Sequence, residues 1–104
     1  MSKQKHTPGP WVVREDPRTF RPSIEKEDRT YFIAHVDECM AKEANARLIA
    51  AAPDLLADLR EAAATLRRYE ALHRAKGTDD STAKAEVNAA LAARFEATIA
   101  KATE

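Results

Sequence analysis

The stretch LLADLREAAATLRRYEALH, residues 55–73, decides the fold of this chain of 104 residues. Steps of four, three, four, three and four residues separate its positions Leu55, Leu59, Ala62, Leu66, Tyr69 and His73. This spacing is typical of a helix that packs one stripe of side chains against a neighbouring helix. Leu56, Ala63 and Leu72 widen the stripe, so we expect this helix to contact more than one neighbour.

Pro53 marks the beginning of this helix. Proline suits the first turn, because the N–H that it lacks would have no partner there. A helical pattern also precedes it, with Ala44, Leu48 and Ala51 at helical spacing. We therefore predict a kinked helical segment, with a short helix over residues 40–51 and a longer helix over residues 53–75.

Gly77 predicts the end of the long helix, in the C′ position that favours glycine. Asp79, Asp80 and Ser81 are candidate N-caps for a third helix that reaches about residue 102. Its apolar residues follow at steps of four, at Val87, Leu91, Phe95 and Ile99. We expect this helix to fold back on the second as an antiparallel hairpin, or to dock on another subunit.

Residues 11–37 have the composition of a β-meander, with predicted strands at 11–14, 20–25 and 30–36. In the last strand, alternation places Tyr31, Ile33 and His35 on one face and Phe32, Ala34 and Val36 on the other. Residues 1–10 include Thr7-Pro8-Gly9-Pro10, which opposes both helix and strand pairing and predicts an extended segment.

The predicted fold class is α+β: a short N-terminal antiparallel β-meander, then a kinked helix and a C-terminal helical hairpin. We expect a single domain over residues 1–104, with the helical region at 40–104. Hydrophobic residues make up 44% of the chain, but alanine supplies about half of them, so the core is modest. Small cores are often completed by association, and we expect a homo-oligomer.

Seventeen basic residues balance seventeen acidic residues, which argues against a protein that wraps duplex DNA. Cys39 is the only cysteine, so no intramolecular disulfide can form and a reducing compartment fits best. The N-terminus lacks the apolar region of a signal peptide, and no stretch approaches the ~18 apolar residues of a membrane span. We expect a cytoplasmic protein without a membrane or duplex nucleic-acid partner.

Catalytic and metal chemistry find little support in the sequence. There is no Gly-rich phosphate loop, and no Ser–His–Asp or Cys–His arrangement has a recognisable local signature. His35 and Cys39 straddle a predicted strand end, so they share no helical face and are not expected to bind zinc. We therefore expect a protein that is not an enzyme and uses no metal or cofactor.

The first candidate ligand group is Lys42, Asn45 and Arg47, near the beginning of the short helix. The free N–H groups and the dipole of a helix N-terminus favour an anion there. Alternatively, this is a solvated helix face on which Glu43 and Arg47 form an ion pair.

The second candidate group combines arginines with aromatic residues of the strand region. Arginine binds a phosphate in a fork and an aromatic ring stacks on a base, so the combination suits a nucleotide. The alternative is a small sheet with aromatic residues in its core and arginines at its rim. The group contains Arg14, Arg18, Arg21, Arg29, Trp11, Phe20, Tyr31 and Phe32, of which Arg14, Arg29 and Phe32 are the predicted ligand contacts.

Two motifs resemble those of a widespread group of small phage and prophage proteins: HTPGPW at residues 6–11 and EANARLIAAAPDLL at residues 43–56. The arrangement is also similar to phage sponge proteins that counter the Thoeris defence system. Those proteins bind cyclic ADP-ribose isomers or cyclic oligonucleotides in pockets between subunits. The resemblance implies an oligomeric anti-defence protein of the host cytosol that sequesters a nucleotide-derived immune signal without catalysis.

Two other functions stay open. The protein could inhibit a host defence complex by binding to it, as an anti-CRISPR protein does, or it could be a structural or regulatory phage component. An aromatic residue beside an arginine in a crevice favours the sponge. An exposed apolar helix face favours the protein-binding inhibitor.

Overall fold

The computed structural model describes residues 5–37 and 41–104. Its elements are β1 (Trp11–Glu15), β2 (Pro22–Lys26), β3 (Phe32–His35), α1 (Lys42–Ala50), α2 (Ala52–Lys76) and α3 (Asp79–Thr103). The strands form one antiparallel sheet in the order β1-β2-β3, and helices follow it, so the predicted α+β class is confirmed. The chain divides between Leu55 and Leu56 into two compact units. That a single domain spans them stays a prediction.

One face of the sheet carries α1. Ile24 of β2 and Ala46 of α1 are fully buried, and with Val36 they form the core of the N-terminal unit. Partly buried residues pack around this core: Trp11, Ile33 and Ala50. The indole Nε1 of Trp11 also donates to the carbonyl oxygen of Thr7 at 3.1 Å, which ties the preceding segment to the beginning of β1.

A β-bulge in β3 corrects the predicted alternation. Glu25 pairs with Phe32, but Ile24 pairs with Ala34, so Ile33 is an extra residue on β3. Phe32 and His35 therefore lie on the same face, with ring centroids 4.6 Å apart. The prediction that put them on opposite faces was wrong, because one inserted residue moves every later side chain to the other face.

Gly77 ends α2 as predicted, with a φ of +71°. The N-cap of α3 is Thr78, whose Oγ1 accepts a hydrogen bond from the N–H of Ser81 at 3.1 Å. The prediction of Asp79, Asp80 or Ser81 as the cap was therefore wrong. Both aspartates lie inside the first turn, where a negative charge complements the helix dipole.

Small side chains fill the interior of the α2–α3 hairpin, where the buried residues are Ala63, Ser81, Ala85 and Ala92. On one side of the hairpin, the Arg67 guanidinium binds Glu96 through two hydrogen bonds of 2.6 and 3.1 Å and binds Glu70 at 2.9 Å. In the part of the chain that the structure describes, no helix combines the length and apolar character needed to cross a membrane.

Candidate ligand site

The face of the sheet opposite to α1 carries an open pocket of about 1040 Å³. Its position follows from strand geometry: Ile24 points toward α1, so its neighbours Ser23 and Glu25 point to the other face. The lining residues come from the three strands and the two turns between them: Arg14, Glu15, Asp16, Pro17, Arg18, Ser23, Glu25, Arg29, Phe32 and His35. Residues of all three strands of one chain therefore line this pocket.

Asp16 organises the turn between β1 and β2. Its Oδ1 accepts the backbone N–H of Arg18 at 2.9 Å, and its carbonyl oxygen accepts the N–H of Phe20 at 2.7 Å. The second carboxylate oxygen, Oδ2, lies 3.0 Å from Nε2 of His35 on β3. The hydrogen bond from Arg18, and after it the one from His35, lowers the pKa of Asp16. This carboxylate thus joins the turn to the third strand along the pocket wall.

Arg14 on β1 keeps part of its donor capacity unused. Its Nη2 donates to the carbonyl oxygen of Glu27 at 3.0 Å. Its Nε is enclosed and meets no acceptor among the described residues. A guanidinium has five N–H donors in a planar fork; the enclosed Nε is out of reach of a ligand, so an anion in the pocket would bind the remaining donors of the Nη groups.

Arg29 lies in the tight turn between β2 and β3, with a φ of +66°. Asp28 stabilises this turn, since its Oδ1 accepts the hydroxyl and the N–H of Thr30 at 2.5 and 3.0 Å. These two hydrogen bonds lower the pKa of Asp28. The Arg29 side chain is exposed and makes no hydrogen bond or ion pair within the described ranges. An anion can therefore bind Arg29 without displacing a protein partner.

Phe32 and Glu25 complete the chemistry of the pocket. Phe32 is 56% exposed, and an accessible phenyl ring can stack on a planar ligand. The hydroxyl of buried Ser23 lies 3.1 Å from Oε2 of Glu25 and 3.2 Å from the carbonyl oxygen of Arg14, and it donates its one proton to either acceptor. The pocket therefore offers cations, an aromatic ring and a carboxylate together.

The structure brings together three of the six predicted ligand residues, since Arg14, Arg29 and Phe32 all line this pocket. The other three lie on α1, which packs on the opposite face of the sheet: Lys42, Asn45 and Arg47. Asn45 and Arg47 are exposed there. The six residues thus form two separate groups, and one small ligand in the pocket contacts only the first.

Sequence reasoning missed Asp16, Ser23, Glu25 and His35 as neighbours of the predicted contacts. Ser23 and Glu25 flank an isolated isoleucine in a predicted strand, and that alternation could have assigned both to one face. The bulge brings His35 beside Phe32, and no sequence signal predicts the bulge. Asp16 reaches the site through its contact with His35.

Metal binding has no arranged ligand set among residues 5–37 and 41–104, where no group of three or more His, Cys, Asp or Glu side chains could hold an ion. Cys39, considered together with His35 as a metal ligand, lies outside the described residues.

A three-stranded sheet followed by three helices, with a polar pocket on the open face of the sheet, defines a small α+β protein. The chain matches, over residues 1–104, the family described as Salmonella phage P22 protein Y8K6, and it belongs to that family of phage proteins. The predicted phage affiliation is thereby confirmed. Neither a curated protein nor a solved structure matches the chain.

Proposed function

We propose that this phage protein sequesters a nucleotide-derived immune signal of the host, such as a cyclic ADP-ribose isomer or a cyclic oligonucleotide, without catalysis. The observation that carries the proposal is the grouping of Arg14, Arg29 and Phe32 in one pocket. Arginine forks bind phosphate and an aromatic ring stacks on a base. Sequestration needs affinity and copy number but no catalytic group.

The charges of the pocket suit a nucleotide better than a bare phosphate. Its cations are Arg14, Arg18 and Arg29, and its carboxylates are Glu15, Asp16 and Glu25. A carboxylate repels a phosphate but accepts hydrogen bonds from ribose hydroxyls and base amino groups. A ligand with phosphates near the arginines and sugar or base donors near the carboxylates satisfies both kinds of group.

A second candidate function is inhibition of a host defence complex by direct binding. Exposed aromatic residues near the pocket favour it, since Phe20 is 68% and Tyr31 59% exposed. Aromatic and arginine side chains are enriched in protein interfaces.

A melting-shift panel of cyclic nucleotides and cyclic ADP-ribose isomers tests the proposal. A ligand at a hundredfold excess over its Kd stabilises the folded protein by about 2.7 kcal/mol. We expect Arg29→Ala to lose this stabilisation and the control Arg60→Ala, in α2, to retain it. Loss in Arg47→Ala with retention in Arg29→Ala would move the site to α1. The proposal is wrong if no compound of the panel shifts the melting temperature. It is also wrong if a compound that binds is recovered in a chemically altered form after incubation with the protein.

A further inference from the structure

The α2–α3 hairpin has two chemically different faces. The apolar face is formed by Ala62, Leu66 and Tyr69 of α2 with Val87, Leu91 and Phe95 of α3. Ala62, Leu66, Leu91 and Phe95 line an open groove of about 530 Å³, and Val87 lines a second groove of about 430 Å³ with His73. The ion pairs of Arg67 with Glu96 and Glu70 lie on the hairpin away from these grooves.

Small side chains form the fully buried interior of the hairpin, and its large apolar side chains are either half-buried or exposed. Its buried residues are alanines and one serine, while Tyr69 is 51% and Val87 68% exposed. Hydrophobic stabilisation scales with the apolar area removed from water, so part of the stabilisation that these helices can gain is not realised within one chain. A further layer of helices over the apolar face would realise it.

We propose that a second copy of this chain covers the apolar face, with α2 antiparallel to α2 of the partner subunit in a four-helix bundle. The spacing of Leu59, Ala62, Leu66, Tyr69 and His73, at steps of three, four, three and four, is the spacing of helices packed in such bundles. This proposal does not depend on the ligand or on the proposed function.

The charges along α2 favour a second copy of the chain as the partner, and they favour an antiparallel arrangement of the two α2 helices. Asp58 and Glu61 border the groove in the first half of α2, whereas Arg68 and Lys76 are exposed in the second half. A two-fold axis across α2 brings the acidic half of each copy against the basic half of the other. Parallel helices would instead oppose like charges, which is unfavourable.

The test is an exchange of charges, followed by light scattering and sedimentation at micromolar concentration. The acid-to-base variant carries Asp58→Lys and Glu61→Lys, and the base-to-acid variant carries Arg68→Glu and Lys76→Glu. Each variant alone opposes like charges in an antiparallel dimer, so we expect dimerisation about tenfold weaker or more. An equimolar mixture of the two should form a heterodimer, because every pair is then attractive.

The control is Glu86→Lys. Glu86 is exposed and lines neither groove, so this variant should dimerise like the wild type. Circular dichroism of each variant checks that the helices are intact, and recovery in the mixture shows that both variants still fold. A wild type that stays at the 11.5 kDa of one chain overturns the proposal. Variants that dimerise as well as the wild type, or a mixture that does not recover, overturn it too.

Discussion

Gly9 lies directly against the ring of Pro53: a Cβ added at position 9 would lie 2.9 Å from Cβ and 3.3 Å from Cγ of Pro53. The two residues belong to the HTPGPW and EANARLIAAAPDLL segments, so the two motifs meet in the folded N-terminal unit. Gly77 is the glycine with a positive φ among the described residues. Close packing, and not backbone conformation, therefore requires glycine at position 9.

Gly9→Ala should destabilise the protein by about 1–3 kcal/mol, because a methyl group cannot fit against a rigid proline ring without a shift of the backbone. Urea denaturation measures the loss. Pro53→Gly removes both ring atoms, so Gly9→Ala should cost less in that background than in the wild type. An equal cost in both backgrounds would show that this contact is not the cause.

Gly77→Ala should also destabilise, but for a conformational reason. Gly77 has a φ of +71° and no atom within 4 Å of an added Cβ, so the cost is the strain of a left-handed backbone, about 1–2 kcal/mol. Gly77→Asn should cost less, since asparagine tolerates this conformation at a helix C-terminus. Thermal melting distinguishes the two variants, and an asparagine variant as unstable as the alanine variant contradicts the explanation.

Asp16→Asn should reduce stability in a pH-dependent way. The lowered pKa of Asp16 means that its charged form stabilises the fold. This contribution is complete above the ordinary value of 3.8 and is lost as the pH falls through the lower value of the folded state. Asparagine keeps an acceptor for Arg18 but carries no charge. The difference in unfolding free energy between wild type and variant, measured by denaturation at several pH values, should therefore shrink below pH 3.8, and a constant difference refutes this account.

Much of the fold was accessible from the sequence because local signals agreed. Pro53 lies in the first turn of α2 and Gly77 ends it, as their backbone preferences require. The N-cap of α3 was misassigned because threonine and aspartate cap similarly and Thr78 stands beside Asp79 and Asp80.

The site was harder to predict than the fold, since it depends on contacts between distant residues. Arginine and aromatic composition selected Arg14, Arg29 and Phe32, which share the pocket. The free N–H groups and the dipole of a helix N-terminus pointed to Lys42, Asn45 and Arg47. These residues lie on the other face of the sheet because α1 packs there. Sheet alternation failed at Ile33, where one unpaired residue changes the face of His35.

Leu66→Ala should show whether the apolar face of the hairpin is covered. Leu66 is only half-buried within one chain, so its truncation in a monomer should cost less than the ~2–5 kcal/mol of a buried leucine. If a second copy covers it, the wild-type melting temperature rises with protein concentration and Leu66→Ala weakens that rise. Melting curves over a range of concentrations measure the effect. Leu48→Ala is a control of the same size on α1, outside the grooves, and an equal effect in both variants would locate the interface elsewhere.

Phe32→Ala should weaken ligand binding while the fold stays intact. The ring is more than half exposed, so its loss should change the unfolding free energy by no more than about 0.5 kcal/mol. Stacking on a base is worth about 1–3 kcal/mol, which corresponds to roughly a 5- to 150-fold loss of affinity. Titration calorimetry with the compound that gives the largest melting shift measures this loss.

Phe32→Leu separates stacking from apolar contact, because leucine keeps the contact without a π-face, and it should bind nearly as weakly as Phe32→Ala. The matched control is Phe20→Ala, since Phe20 is an exposed phenylalanine of the same unit that lines a different surface depression, beside Val13 and Glu43. Full affinity in Phe32→Ala, or an equal loss in Phe20→Ala, would show that the ligand does not stack on Phe32.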